Sequence, residues 1–435
     1  MIPLLLLLAV TGLMQAARSF SSEIYAGGTE LAFGFLLLAA YFTAQLVSRF
    51  KLPKLTGYLL AGVLAGPFVL DLVTREMAGS LRIVNGVATC ILGLTAGSEL
   101  NLKRVRPVAR TLRWVTVCSV VGSMVVLGGV LFLIRPLVPL FDNMTTTQSI
   151  AVCMLIGVAV SPQSPAVAMA LLSETKADGP FSQFMLASVV VADLVAVLCY
   201  SIAAAAAGMV IGGGVDVLDT ALAVAWELLG SIVFGALIGA VIGGFLKTVK
   251  QGASMFALLI CVVVAEIGTR VHLDPLVVML AAGIWLENFS RADASSLLHG
   301  FESAQLPVFL VWFALAGTRL DLVQLSASLA PVLILAAVRA GWYYVGTRFA
   351  CKHTDAPPAV TKYAWIGLVP QAGLSLALIV VIQKQFPTFG AEAAVILLSV
   401  LAVNQLVSPP ALRAMLLRSG EAGKKASVDF AAGGH

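Results

Sequence analysis

Charge is scarce in this sequence. Asp, Glu, Lys and Arg together make up 11% of the 435 residues, against about 25% in ordinary soluble domains. A soluble fold of this length needs a polar surface over its core, so a soluble enzyme, a disordered chain and a nucleic-acid binder are excluded. Cysteine is sparse as well. Six residues, at 90, 118, 153, 199, 261 and 351, stand apart in apolar stretches without a CxxC pair, which argues against a disulfide framework and a metal site. The four histidines lie mostly in loops and no HExxH occurs. A zinc protease therefore lacks its ligands, and a serine protease lacks a base inside the membrane. No cofactor is expected, and no metal beyond a transported cation.

What the chain has in abundance is apolar surface: 60% hydrophobic residues and a mean hydropathy of +0.99. Runs of the length that crosses a bilayer, about 17–25 residues, recur at 30–50, 55–72, 81–100, 113–134, 149–174, 182–208, 221–247, 254–270, 275–289, 304–320, 326–350, 361–383 and 390–417. The runs do not alternate as barrel strands do. The expectation is an all-α polytopic membrane protein of about 13 transmembrane helices, with the lipid bilayer as its solvent. Residues 1–20 read as a signal peptide or as a short extra helix. Thirteen spans place nineteen Lys and Arg residues on one side, among them Lys51, Lys54, Lys176, Lys250, Arg291 and the tail residues Arg413, Arg418, Lys424 and Lys425, against seven on the other. This bias puts the C-terminus in the cytoplasm, which for a bacterial chain is the inner side of the plasma membrane.

Three features break the apolar pattern. A charge at the bilayer centre costs about 2.5–3.5 kcal/mol on insertion scales, yet Asp193 stands mid-span in Ser188-Val-Val-Val-Ala-Asp-Leu-Val-Ala. It is either a buried carboxylate satisfied by hydroxyls and backbone, or a carboxylate in a cavity that exchanges a proton for a monovalent cation. With a single mid-span aspartate, an aspartyl protease is excluded. Arg339 is the one basic residue inside a span. Two roles are open to it: a structural pair with Glu266 or Glu227, or a position near Asp193 that opposes cation binding. Glu227 and Glu266 lie nearer span ends, where an interfacial or ion-pair role suffices.

The third feature is a pair of interruptions. Ser161-Pro162-Gln163-Ser164-Pro165 falls in the middle of span 149–174, and Pro370-Gln371-Ala372-Gly373-Leu374-Ser375 in span 361–383. Proline removes a helical donor and crowds the preceding turn, and such a break at membrane depth persists only in a cavity or inside protein. Paired interruptions in corresponding halves point to the site of an inverted-repeat transporter; the alternative is two proline kinks without ion contact. Ser161, Gln163, Ser164 and Gln371 become candidate oxygen ligands beside Asp193, with Pro162, Pro165, Pro370 and Gly373 as the breaks. Asn404-Gln405 follows the second break as Asp193 follows the first. Gly235, Gly239 and Gly243 form a close-packing face.

Four further segments carry a resemblance: Leu52-Pro-Lys-Leu-Thr-Gly-Tyr-Leu-Leu-Ala-Gly-Val-Leu-Ala-Gly-Pro67, Gly93-Leu-Thr-Ala-Gly-Ser-Glu-Leu100, Phe313-Ala-Leu-Ala-Gly-Thr-Arg-Leu-Asp321 and Gly367-Leu-Val-Pro-Gln-Ala-Gly373. With Asp193 and Arg339 they make residues 30–420 resemble the monovalent cation:proton antiporter superfamily, in its bacterial sodium/proton and potassium efflux branch. The resemblance implies two crossed discontinuous helices beside an essential aspartate, here Asp193, and exchange of sodium or potassium for protons by a homodimer. It also implies a division into a dimerisation domain (30–112 and 254–325), a core transport domain (113–208 and 326–417), a linker helix (221–247) and a cytoplasmic tail (418–435). One departure stands out. The family usually places Asp, Asn or Gln before its aspartate, and here Ala192 stands there. One titrating carboxylate favours one-for-one, electroneutral exchange. The rival readings are a proton-coupled symporter or organic-anion carrier of similar crossed-helix fold, with Arg339 serving the anion, and a gated potassium pathway.

Overall fold

Apolar segments without water to satisfy their backbone must pair every N–H and C=O internally, and the described residues are accordingly helical, with no strand among them. The computed structural model describes residues 2–20, 29–211, 222, 226–248, 252–271, 273–290, 295–320 and 329–424. Lys250, Arg291 and Lys425 of the basic side, and the ends of spans 221–247 and 326–350, lie outside the described residues.

The helices are α1 (Ile2–Phe20), α2 (Thr29–Ser48), α3 (Lys54–Ala65), α4 (Arg82–Glu99), α5 (109–133), α6a (Thr146–Ala159), α6b (Pro165–Thr175), α7 (Pro180–Ile211), α8 (Ser231–Thr248), α9 (Ala253–Val271), α10 (Pro275–Asn288), α11 (Ser295–Thr318), α12 (Leu329–Lys352), α13a (Pro358–Gly367), α13b (Gly373–Gln385) and α14 (Gly390–Arg418). Each expected span overlaps one of α2–α14, and the two interrupted spans overlap half-helix pairs. Six described helical stretches are each long and apolar enough to cross a membrane. Helix α1 packs along α2 with Met14 buried. Span 55–72 is shorter than its apolar run suggests. Gly66 caps α3 in extended conformation, Pro67 follows, and the backbone of residues 69–73 folds back onto the carbonyls of residues 64–66.

Packing separates two groups of helices. In one, α3 lies against α11 and α4 against α10. These contacts exchange under a two-fold relation between the halves, since the second and third helices of one half each meet the third and second of the other. Both are backbone-close. A Cβ on Gly62 would collide with the Ala314 carbonyl, and one on Gly97 with the Leu280 carbonyl. The α8 glycines do as the sequence suggests: Gly239 lets α8 approach α10 so closely that a Cβ would fall 2.6 Å from the Ala282 carbonyl. Gly97→Ala is therefore expected to push α4 off α10 at about 1–3 kcal/mol. The check is a lower melting temperature in detergent than for Gly129→Ala, where a Cβ would meet nothing within 4 Å.

In the second group α5 and α12 pack together, α6a lies between α5 and α7, and α13b lies on α14. Helix α5 is continuous but carries a π-turn at Cys118–Gly122, whose Cys118 carbonyl accepts the Trp342 indole N–H at 2.8 Å. The groups touch at the end bearing Lys51 and Lys54. There the Glu174 carboxylate, at the end of α6b, accepts the Lys54 backbone N–H at 3.1 and 3.2 Å, and Arg413 of α14 donates to the Lys51 carbonyl at 2.9 Å.

Candidate functional site

The two breaks are built alike. Ala159 and Gly367 end the leading half-helices, and Pro165 and Gly373 begin the trailing ones; each pair is 208 residues apart, as are Pro162 and Pro370, and Gln163 and Gln371. Proline 162 offers no N–H to continue α6a. Ser164 restarts the helix as its N-cap, its Oγ accepting the Val167 N–H at 3.1 Å with Pro165 at the first helical position. In the second break Ala372 is extended and Gly373 leads α13b.

Each leading half-helix ends in carbonyls that have lost their helical partners, and these ends are electronegative. Arg339 fills the space between them. Its side chain is fully buried. Nε donates to the Val160 carbonyl at 2.8 Å, Nη1 to Val369 at 2.5 Å, and Nη2 to Pro162 at 3.0 Å and Leu368 at 3.4 Å. One guanidinium thus ties the ends of α6a and α13a together, a task for a planar fork of five donors. Its ring partner is Tyr343, one turn further along α12, with the guanidinium carbon 4.6 Å from the ring centroid. Neither expected glutamate partner is used. Glu266 instead pairs with Arg270 on the next turn of α9 at 2.6 Å, at an exposed position, and Glu227 is exposed just before α8. The physical reason is that the breaks already offer the buried cation four oriented carbonyls. Arg339 forms no ion pair with Asp193, but the two lie close enough for each charge to act on the other.

Asp193 faces the first break from α7. Its Oδ1 accepts the Gln163 backbone N–H at 3.1 Å, and the residue is half-buried. The preceding Ala192 turns away into an apolar cluster with Val120 and Ala196. Gln163 is itself 1% exposed, and neither its side-chain oxygen nor its nitrogen has a partner at bonding geometry, although it lies against the Tyr343 hydroxyl. Each buried amide group that lacks a well-formed hydrogen bond costs about 1–3 kcal/mol, and the Tyr343 hydroxyl is a partner within reach.

The other candidates lie in the same crossing but are committed elsewhere. Ser161 Oγ donates to the Val158 carbonyl at 2.8 Å, and Ser164 is a helix cap. Gln371 Nε2 donates to the Val160 carbonyl at 2.6 Å and to Ser375 Oγ at 3.3 Å, while its Oε1 accepts from Asn404 Nδ2 at 2.6 Å. Of the freed backbone carbonyls, those of Val160, Ser161, Pro162, Leu368 and Val369 are taken by Arg339, Gln371 and Tyr343. Among the candidate side chains, Asp193 and Gln163 are the two not spent on holding the breaks to themselves or to each other. Tyr343 is the residue that sequence reasoning passed over. Its signal was its place four residues after Arg339, on the same helix face.

The family profile described as "Sodium/hydrogen exchanger, transmembrane" matches residues 34–418. The ammonium/H(+) antiporter subunit AmhT of Alkalihalophilus pseudofirmus is 26% identical over 309 residues, which is 70% of this chain and 74% of that protein. The structure of the sodium proton antiporter MjNhaP1 from Methanocaldococcus jannaschii at pH 8 superposes with a TM-score of 0.60 at 14% identity, over 89% of this chain and 97% of that one. An electron-microscopy structure of MjNhaP1 gives 0.70 at 15% identity, over 89% and 96%. At those identities the structural likeness is one of fold, while the profile spans nearly the whole described chain and the stretch that carries the sequence resemblance. The chain is a multi-pass membrane protein that belongs to the sodium/hydrogen exchanger family, within the monovalent cation:proton antiporter superfamily.

Proposed function

We propose that the protein exchanges one monovalent cation, sodium or potassium, for one proton across the bacterial inner membrane, and that Asp193 is the shared site. The observation that carries this reading is the half-buried Asp193 at the break, its carboxylate hydrogen-bonded by the Gln163 backbone N–H. The carboxylate holds a proton or a cation, never both. The Gln163 side-chain oxygen is a neutral ligand for the ion, and the deprotonated carboxylate supplies the charge. Ala192 contributes no second acid, so one proton leaves for each cation that enters. An anion carrier finds no support in the site, because the Arg339 guanidinium is consumed by backbone carbonyls.

In this reading α2–α4 and α9–α11 form the frame through which two copies dimerise, α5–α7 and α12–α14 form the core that carries Asp193, and α8 links the halves. Alternating access moves the core against the frame. The C-terminus lies in the cytoplasm. The test is reconstitution in liposomes with an imposed pH gradient and sodium, potassium, lithium and, because AmhT is named for ammonium, ammonium added in turn. Sodium or potassium is expected to dissipate the gradient. With the membrane potential clamped by valinomycin and potassium at different values, the sodium-driven rate is expected to stay constant; a rate that follows the potential rejects one-for-one exchange.

A further inference from the structure

The backbone of the first break is held at four successive residues, Val160 to Gln163, and one of the holders has no role so far. The Val160 carbonyl accepts from Arg339 and Gln371, the Pro162 carbonyl accepts from Arg339, and the Gln163 N–H is given to Asp193. Between them lies the Ser161–Pro162 peptide. It has no N–H, because its nitrogen belongs to proline, so its carbonyl is its sole hydrogen-bonding group. That carbonyl accepts the Tyr343 hydroxyl at 2.7 Å. Tyr343 is 1% exposed, and its ring is fixed by the Arg339 guanidinium stacked on it at 4.6 Å. The same hydroxyl lies against the Gln163 side chain and Ser123.

We infer that Tyr343 is a positioning residue for exchange: its hydroxyl fixes the Ser161–Pro162 peptide and so aims the next N–H, that of Gln163, at Asp193. This deepens the proposed function and rests on Asp193 being the exchange site. The chain of cause is short. A peptide whose one polar group is released turns about its flanking bonds, and the following N–H turns with it. Two further charges act on Asp193 from other helices, the Asp274 carboxylate at the start of α10 and the Arg339 guanidinium of α12, and removing the Tyr343 hydroxyl deletes neither. An N–H donated to a carboxylate favours the ionised form over the protonated one. Loosening it leaves the proton a stronger competitor, so the cation binds less well and activity needs a more alkaline medium. The movement of the core is untouched, so turnover at saturating cation is kept.

Tyr343→Phe removes the hydroxyl and leaves the ring under Arg339. The expected result in proteoliposomes is a rise of about three- to tenfold in the apparent KM for the cation, the worth of one hydrogen bond, with kcat within about twofold of the wild type. The pH–activity profile moves to higher pH. An unchanged KM and pH profile overturns the proposal, as does a loss confined to kcat or protein yield, because a merely structural hydroxyl acts there. If Tyr343→Phe does not fold, 3,5-difluorotyrosine incorporated at 343 decides. It keeps the shape and makes a stronger donor, so KM is expected to fall, and an unchanged KM overturns the proposal. Asp193→Asn run in parallel separates the two failures: transport surviving in that variant rejects the exchange site itself, whereas an inactive Asp193→Asn beside an unaltered Tyr343→Phe rejects only the positioning role.

Discussion

Arg339→Leu is expected to yield a protein that does not keep its core. The leucine fills part of the volume and offers no donor. The carbonyls of Val160, Pro162, Leu368 and Val369 then lose their guanidinium partner at membrane depth. Val160 keeps Gln371; each carbonyl left bare costs about 1–3 kcal/mol, and the total approaches the whole stability of a typical domain. The electronegative ends of α6a and α13a, held together by one cation, also face each other uncompensated. Size-exclusion profiles and melting curves in detergent are the measurement, with aggregation or a collapse of the melting temperature expected. Arg339→Lys restores the charge without the fork. It is expected to fall between the two, folded but less stable, because one ammonium carries three donors on a single atom and cannot reach both breaks as the guanidinium does.

Much of this site was legible in the residues. Asp193 announced itself as a mid-span carboxylate, and the two Pro-Gln dipeptides marked both breaks because proline writes its backbone consequence into the sequence. The partners of those breaks were not legible. Arg339 reaches carbonyls 177 and 179 residues away in one break and 29 and 30 away in the other, and backbone carbonyls leave no mark in a sequence, so pairing with the glutamates looked equally open. The same blindness hid which candidate ligands were already spent: whether Gln371 faces an ion or an asparagine depends on Asn404 arriving from α14. Glu421 is a further case. In a Gly- and Lys-rich tail it reads as solvated, yet it is 3% exposed. Its carboxylate caps α7, the helix that carries Asp193, by accepting the backbone N–H groups of Phe181 and Ser182 at 2.8 Å across some 240 residues. Gly66-Pro67 was the opposite kind of miss. The stop signal was present, but the apolar residues after it carried the span too far.

The second large effect belongs to Asp193→Asn. The substitution is nearly isosteric, and the amide oxygen can still accept the Gln163 N–H, so the break is expected to stay in place and the protein to insert and melt as the wild type does. What is lost is the charge and the titrating proton. An amide cannot alternate between a proton and a cation, and the preceding residue supplies no acid, since Ala192 is packed into the apolar cluster with Val120 and Ala196; the other carboxylate whose charge reaches Asp193, Asp274 at the start of α10, is bound to the Leu276 backbone N–H as a helix cap. The loss of exchange should therefore be complete, unlike the graded effect of Tyr343→Phe. The direct measurement is cation-evoked dissipation of an imposed pH gradient in liposomes holding matched amounts of wild-type and Asp193→Asn protein, each confirmed as folded by its melting curve. The account predicts dissipation by the wild type and none above protein-free liposomes by the variant, with any cation of the series. Dissipation by Asp193→Asn at the wild-type rate contradicts it and moves the exchange site away from the crossing.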